Sequence, residues 1–352
     1  MVLADSRFDS ITFIVTNKVG HYLTRHWAVP QSRMVEVADV PFVPTMERFH
    51  GLLCRWRYRK ILSLASVIIH PEFRTYLGCS IPQAVVLYDL IFLEPPRFSG
   101  TYKPSRDWYF RYKVRQALKA RYLVSISAFT KLQAIRFFPK AHLERITPLP
   151  LSCRSGIRGG GALKRLSPSQ RIHFLYVGSM DDRKNVIPMI ESFHQVCAQH
   201  SVVLHLAGSS RHDMQKIIDT SQQNRCETTQ IIFHNKVNDQ ELTELYAKAH
   251  FFVFPSLMEG FGLPPLEAMS HGLVVFAFNN SAIPEAVGDA AVLCEDNDFG
   301  GWGEAFDRML KNPLEYQALS KKSIEQAAVL SETAMFKRYS EYFTMLISDC
   351  TR

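Results

Sequence analysis

What this chain lacks narrows its class first. No apolar run approaches the roughly 18 residues of a membrane-spanning helix, so no transmembrane segment is expected. Met1 to Asp9 carries two acids and no apolar core, so no signal peptide is expected either. The seven cysteines stand singly at 54, 79, 153, 197, 226, 294 and 350. Their odd number and the absence of any C-x-x-C pair point away from a disulfide framework and a zinc site. A reducing cytoplasmic setting fits that usage. Charged residues make up only 21% of the 352 positions and hydrophobic ones 47%, which is the balance of a folded globular chain. The length suits two domains.

The most informative stretch runs from Phe251 to Met269. Four apolar residues, Phe251-Phe252-Val253-Phe254, read as a buried strand. Pro255 ends it, and a loop follows with Glu259, Gly260, Phe261 and Gly262. Pro264 and Pro265 suit the first turn of a helix, and Leu266 to Met269 are good helix formers. The start of such a helix offers N–H groups and partial positive charge to an anion, phosphate above all. Two carboxylates flank it, Glu259 and Glu267. Acids beside a phosphate site suit hydroxyl groups better than more phosphate, and phosphate flanked by hydroxyls describes a nucleotide sugar.

Glu259 and Glu267, seven residues apart with Gly-Phe-Gly-Leu-Pro between them, resemble the E-x7-E signature of retaining glycosyltransferases of family 4. The resemblance implies a GT-B fold, an α/β architecture of two doubly wound Rossmann-like domains facing across a cleft. It covers most of residues 80–350. It implies Glu259 at the transferred sugar and Glu267 on the ribose hydroxyls. The N–H groups of Phe261, Gly262 and Leu263 would lie beside the sugar and the β-phosphate, with Gly260 and Gly262 letting the backbone approach the donor closely. It carries the family's basic pair on the diphosphate over to Arg183 and Lys184. Those two follow the strand Ile172 to Val177 and its terminal Gly178. Where many relatives have an arginine after that glycine, this chain has Ser179. Asp89 falls on the family's His-Asp position, with Tyr88 in place of the histidine. Gly20 is the single glycine of a first-strand loop where related enzymes often carry two. Val237 and Lys236, at another strand end, are expected to line the pocket of the nucleotide base.

Strands and helices alternate in two series, which predicts parallel sheets. Expected strands are 10–16, 66–70, 84–88, 122–127, 172–177, 202–207, 230–234, 251–254 and 273–277. Residues 46–64 read as an Arg- and aromatic-rich helix. Ser127 reads as an N-cap, and Asn238 with Glu241 as a capping box. Residues 1–151 form the expected acceptor domain, 152–170 a flexible linker holding Gly159-Gly160-Gly161, and 171–331 the donor domain. The amphipathic segment 332–352 is expected to return to the first domain, as the resemblance implies. Glu285, at a helix start, serves either the nucleotide or only its own helix.

Leaving-group charge on a diphosphate needs either a metal or fixed basic groups. A metal needs closely spaced acids. The adjacent Asp181 and Asp182 read as a solvated loop, so a metal-independent site without a cofactor is expected. Residues 1–160 carry a net charge of +14 and the remainder −6, so the first half suits an anionic partner. Arg25, Arg55, Arg57, Arg59 and Lys60, with Trp56 and Tyr58, would serve a lipid-linked glycan acceptor or the inner face of an anionic membrane. A nucleic-acid partner is not expected, because no base-stacking platform or recognisable module is present. The reading is a hexosyltransferase acting from a nucleotide-diphosphate sugar in cell-surface polysaccharide or lipopolysaccharide synthesis. A GT-B sugar-nucleotide epimerase and a non-catalytic donor-binding scaffold are the alternatives.

Overall fold

A computed structural model describes residues 13–16, 34–37, 67–70, 80–95, 104–140, 145–153, 159–166, 171–197, 199–208, 214–223 and 229–350. Among the described residues the strands lie in three sheets, all parallel. Strands β1 (Phe13–Thr16) and β2 (Met34–Val37) pair with each other. Strands β3 (Ile68–His70), β4 (Gln83–Leu87), β5 (Tyr122–Ser125) and β6 (Ile146–Pro148) form a four-stranded sheet in that order. Helices α1 (Pro104–Ala117) and α2 (Ala128–Phe137) belong to this first block.

The second block is a six-stranded sheet of β7 (Ile172–Val177), β8 (Val202–Ala207), β9 (Thr229–His234), β10 (Phe251–Phe254), β11 (Val274–Phe278) and β12 (Ala291–Cys294). Its spatial order is β12-β11-β10-β7-β8-β9. Counted within the block this is the 3-2-1-4-5-6 order of doubly wound nucleotide-binding sheets. Helices α3 (Val186–Val196), α4 (Met214–Gln223), α5 (Asp239–Lys248), α6 (Leu263–Ser270), α7 (Ile283–Val287), α8 (Phe299–Lys311) and α9 (Pro313–Val329) interleave with or follow these strands. Both faces of the sheet are covered, which is why β10 can be apolar throughout. Phe251 and Val253 enter one core with Phe174, Phe276 and Trp302, while Phe252 and Phe254 enter the other with Leu175, Leu266 and Val275. All four β10 side chains are buried, as parallel strands with helices on both sides require.

The last helix, α10 (Glu332–Cys350), leaves the second block and packs on the first. Tyr342 and Leu346 share a core with Ala84, Val124 and Leu149. The Tyr339 hydroxyl donates to the Leu149 carbonyl at 3.0 Å, and Asp349 accepts from the Tyr122 hydroxyl at 2.5 Å and from Arg121 at 3.0 Å. The glycine-rich segment differs from a free tether. Residues 159–166 have no regular structure, but the Gly159 N–H donates to the Ser270 hydroxyl and the Lys164 N–H to the Ser320 hydroxyl. A Cβ on Gly159 would stand 2.3 Å from the Ser270 carbonyl oxygen. Glycine serves close packing there, against α6 and α9.

Candidate active site

The order of the second sheet reverses between β7 and β10, and ligands of open α/β sheets bind beyond the strand ends at such a switch point. The loops leaving those two strands meet there. After β7, the backbone makes one 3-10 turn over Asp182–Lys184. Asn185 then adopts a left-handed conformation, φ 56°, which asparagine tolerates better than most residues. Its side-chain amide donates to the side-chain oxygen Oδ1 of Asn297 at 2.8 Å. This sharp turn aims Arg183 and Lys184 at the β10 loop. The Leu257 N–H donates to the Arg183 carbonyl at 3.0 Å and joins the two loops.

The result is a compact charged cluster. Lys184 Nζ lies 2.5 Å from Glu259 Oε1, and Arg183 Nη1 lies 3.1 Å from the same oxygen. Ser256 Oγ donates to it as well. Arg183 Nη1 also donates to the Met258 carbonyl at 2.6 Å. Lys184 is buried, with its ammonium 5.1 Å from the Phe254 ring centre. The Glu259 N–H donates to Ser281 Oγ at 2.9 Å. An ammonium has three donors and a guanidinium five. Glu259 and the Met258 carbonyl therefore use only part of the pair's capacity.

Across the cleft stands Asp89, at the end of β4. It accepts from the Ile91 N–H at 3.2 Å. Burial pushes its carboxyl above the ordinary carboxylate range, against the opposing pull of that N–H and of Arg183. Gly260 is seated against it, since a Cβ there would lie 2.7 Å from the Asp89 Cβ and 3.3 Å from the Tyr88 carbonyl oxygen. Gly262 is the N-cap of α6 with φ 119°, a backbone state that only glycine adopts without strain. No side chain caps this helix end, and Pro264 and Pro265 bring no N–H of their own. Anion-binding capacity at this end is thus left to the N–H groups of Phe261, Gly262 and Leu263.

Glu267 lies one turn further on. It is 1% exposed and accepts from the Tyr246 hydroxyl of α5 at 3.0 Å. Val237 packs against the core that also holds Leu266 and Ala268, the sequence neighbours of Glu267. Gly178 closes β7, its N–H donating to the Ala207 carbonyl at 3.0 Å. The structure therefore gathers Glu259, Gly260, Arg183, Lys184 and Asp89. It sets Glu267 apart, on the α5 side of the loop. Gly20, Arg25, Arg55, Arg57, Arg59, Lys60, Trp56 and Tyr58 lie outside the described residues.

Sequence reasoning missed Ser256, Ser281 and Tyr246, whose hydroxyls act only once distant loops meet. It also passes over an Asp-x-Asp triplet, Asp296-Asn297-Asp298. In the structure Asp298 caps α8, accepting from the Gly301 N–H at 2.9 Å, and Asp296 accepts from the Asn280 side chain. Both acids thus serve loop structure. Glu285 does start a helix, but its carboxylate accepts from the Ala128 and Phe129 N–H groups, each at 2.6 Å, on the far side of the cleft.

Residues 164–326 match the family model described as glycosyl transferases group 1. That stretch, a little under half of the chain, is similar to the group 1 glycosyl transferases. The stretch holds the charged cluster, α6 and Glu267. An O-antigen chain mannosyltransferase B of Escherichia coli is 29% identical over 238 residues, covering 65% of this chain and 61% of that protein. The match spans less than two thirds of that relative's length. Sucrose-phosphate synthase from Thermosynechococcus elongatus superposes with a TM-score of 0.69 at 18% identity, over 90% of this chain and 84% of that one. An Anabaena protein, HepE, solved with UDP and glucose, gives 0.64 at 14% identity over 92% and 88%. These likenesses show the GT-B fold. Among the described residues no helix is long and apolar enough to cross a membrane.

Proposed function

We propose that the protein is a retaining, metal-independent hexosyltransferase. It moves a sugar, with mannose the first candidate, from a nucleotide-diphosphate donor to a glycan or lipid-linked acceptor in cell-surface polysaccharide synthesis. The observation that carries this reading is the convergence of Arg183, Lys184 and Glu259 at the sheet's switch point, beside the uncapped start of α6. The E. coli relative's mannosyltransferase name supports the choice of sugar. HepE's complex with UDP and glucose supports a nucleotide donor.

In this reading Arg183, Lys184 and the α6 N–H groups hold the diphosphate. Its negative charge grows as the bond from the anomeric carbon to the β-phosphate oxygen breaks. Fixed donors aimed at that charge lower the barrier. The acceptor oxygen bonds to the anomeric carbon, and its proton passes to the departing phosphate oxygen. Glu259 and Asp89 hold sugar or acceptor hydroxyls on the two sides of the cleft, and Glu267 holds the ribose. The basic first half faces the acceptor and an anionic membrane.

The test is turnover with GDP-mannose, UDP-glucose and a dTDP-6-deoxyhexose in excess EDTA. At least one donor should be consumed at an undiminished rate. Activity abolished by EDTA and restored by Mg²⁺ or Mn²⁺ would overturn metal independence and turn attention to Asp296 and Asp298.

A further inference from the structure

Helix α2 begins with the usual set of N–H groups that have no partner inside the helix. Ser127 supplies one partner from its own chain segment, its hydroxyl accepting from the Thr130 N–H at 3.0 Å. The next two partners are not local. Ala128 and Phe129 donate to the two oxygens of Glu285, each at 2.6 Å, across 157 and 156 residues of sequence. A carboxylate is well matched to this place, since the N-terminal end of a helix carries partial positive charge. Hydrogen bonds to an ionised acceptor are short and strong. The two oxygens on two successive N–H groups make a forked contact between the first block and the second.

Both ends of this contact are wired to the site. On the α2 side, Thr130 Oγ1 donates to the Tyr88 carbonyl at 3.2 Å, fixing the loop that carries Asp89. On the Glu285 side, α7 is preceded by Ser281, held at φ 49°. Ser281 Oγ accepts the Glu259 N–H at 2.9 Å and donates to the side-chain oxygen Oδ1 of Asn280 at 2.8 Å. The two loops joined through Glu285 are the two that touch where Gly260 meets Asp89 and the Tyr88 carbonyl. A second crossing lies nearby, where the buried Gln133 side chain of α2 reaches Met258 Sδ at 3.9 Å.

We propose that Glu285 is a positioning residue, a latch that fastens the start of α2 to the second block and so holds the cleft closed with Glu259 and Asp89 facing each other. It touches neither donor nor acceptor. Its assignment to catalysis rests on the glycosyltransferase reading, but the latch itself does not. Loss of two charge-assisted hydrogen bonds should shift the closed-to-open ratio by roughly tenfold or more.

The experiment uses the full chain and two variants that cut the latch from opposite ends. Glu285→Ala removes the acceptor. Ala128→Pro removes one donor at the first helical position, where proline is favoured. Ser127 before it is already extended, at φ −156° and ψ 159°, as a residue preceding proline prefers. Small-angle scattering of donor-free protein should give a larger radius of gyration for each variant. The double variant should match Glu285→Ala, because both changes break one contact. With an active donor, kcat should fall about tenfold or more while donor KM changes little. An unchanged radius in both single variants overturns the latch, whatever the turnover. Expansion in Glu285→Ala with Ala128→Pro unchanged also overturns it, since Glu285 would then act elsewhere. If Glu285→Ala does not fold, Ala128→Pro alone decides. A latch present in protein that turns over no nucleotide sugar counts against the catalytic reading and leaves the latch standing.

Discussion

Replacing Lys184 by methionine keeps most of the side-chain volume and removes one charge. The structure lets the two consequences be separated. Lys184 and Glu259 have side chains only 10% and 12% exposed. Breaking a buried pair by removing one partner typically costs about 3–5 kcal/mol, because the other charge is left uncompensated. Here Glu259 keeps Arg183 at 3.1 Å and the Ser256 hydroxyl. The loss in stability should therefore lie below that range, at about 1.5–3 kcal/mol by the net worth of one charge-assisted hydrogen bond. The catalytic loss should be larger. Lys184 meets a diphosphate whose charge grows along the reaction, so its contact strengthens in the transition state. Removing one preorganised donor of this kind costs about 10²–10³ in kcat. Chemical denaturation gives the first quantity, and single-turnover kinetics with a confirmed donor gives the second. A Lys184→Met enzyme that folds and retains near-normal kcat would refute the placement of the diphosphate, and with it that of Glu259.

Glu267→Gln should raise donor KM with kcat little changed, because ribose hydroxyls do not change charge in the reaction; a loss confined to kcat would count against that role. Acid should destabilise the second block through His173, His205, His234 and His250. His205 lies within 2.9 Å of both His173 and His234, and burial, reinforced by those neighbours, pushes its pKa down to about 4. Stability contributed by its neutral form is complete above about pH 6.5 and is lost as pH falls toward 4, by on the order of 3 kcal/mol. Urea melts at pH 7 and pH 5 should show this, and an equal midpoint at both would contradict it.

The parts of this fold that were legible in sequence are those written in contiguous residues. Strands β7, β8 and β10 fall at the expected residues because apolar runs and their terminal glycine or proline lie side by side. The Asn238–Glu241 capping box forms as spaced, with Glu241 Oε2 accepting from the Asn238 N–H at 2.7 Å and Asn238 Oδ1 accepting from the Glu241 N–H at 2.9 Å. Ser127 caps α2 for the same local reason. Strand ends were less legible. β5 stops at Ser125 rather than 127, because Ser127 must turn the chain into α2. What could not be read were side chains whose role depends on another loop. Ser281 and Ser256 look like ordinary loop serines until Glu259 lies between them. Glu285 looks like an acid serving its own helix, and only the folded arrangement shows that it serves a different one. The glycine triplet was read as slack because its composition is that of a tether, whereas the Ser270 carbonyl beside Gly159 makes glycine a steric requirement.

The balance of charge in the cleft has a further consequence. Arg183 and Lys184 contribute +2 and Glu259 contributes −1. The diphosphate of a nucleotide sugar brings about −2 more, so the bound cluster becomes slightly negative. Asp89 feels this change, because Arg183, Lys184 and Glu259 already act on it. Burial has raised its pKa before any donor arrives, and an added anion disfavours its charged form further. Donor binding should therefore be accompanied by proton uptake at Asp89 in mildly acidic solution. Intact GDP-mannose is the suitable probe, since it lacks the titrating terminal phosphate of a free nucleoside diphosphate. Calorimetric titrations near pH 5, in buffers of different ionisation enthalpy, should give binding enthalpies that differ in proportion to the protons taken up. Asp89→Asn should abolish the difference while binding persists. Binding with the same enthalpy in every buffer would show that Asp89 does not sense the phosphates, and would place it on the acceptor side of the cleft.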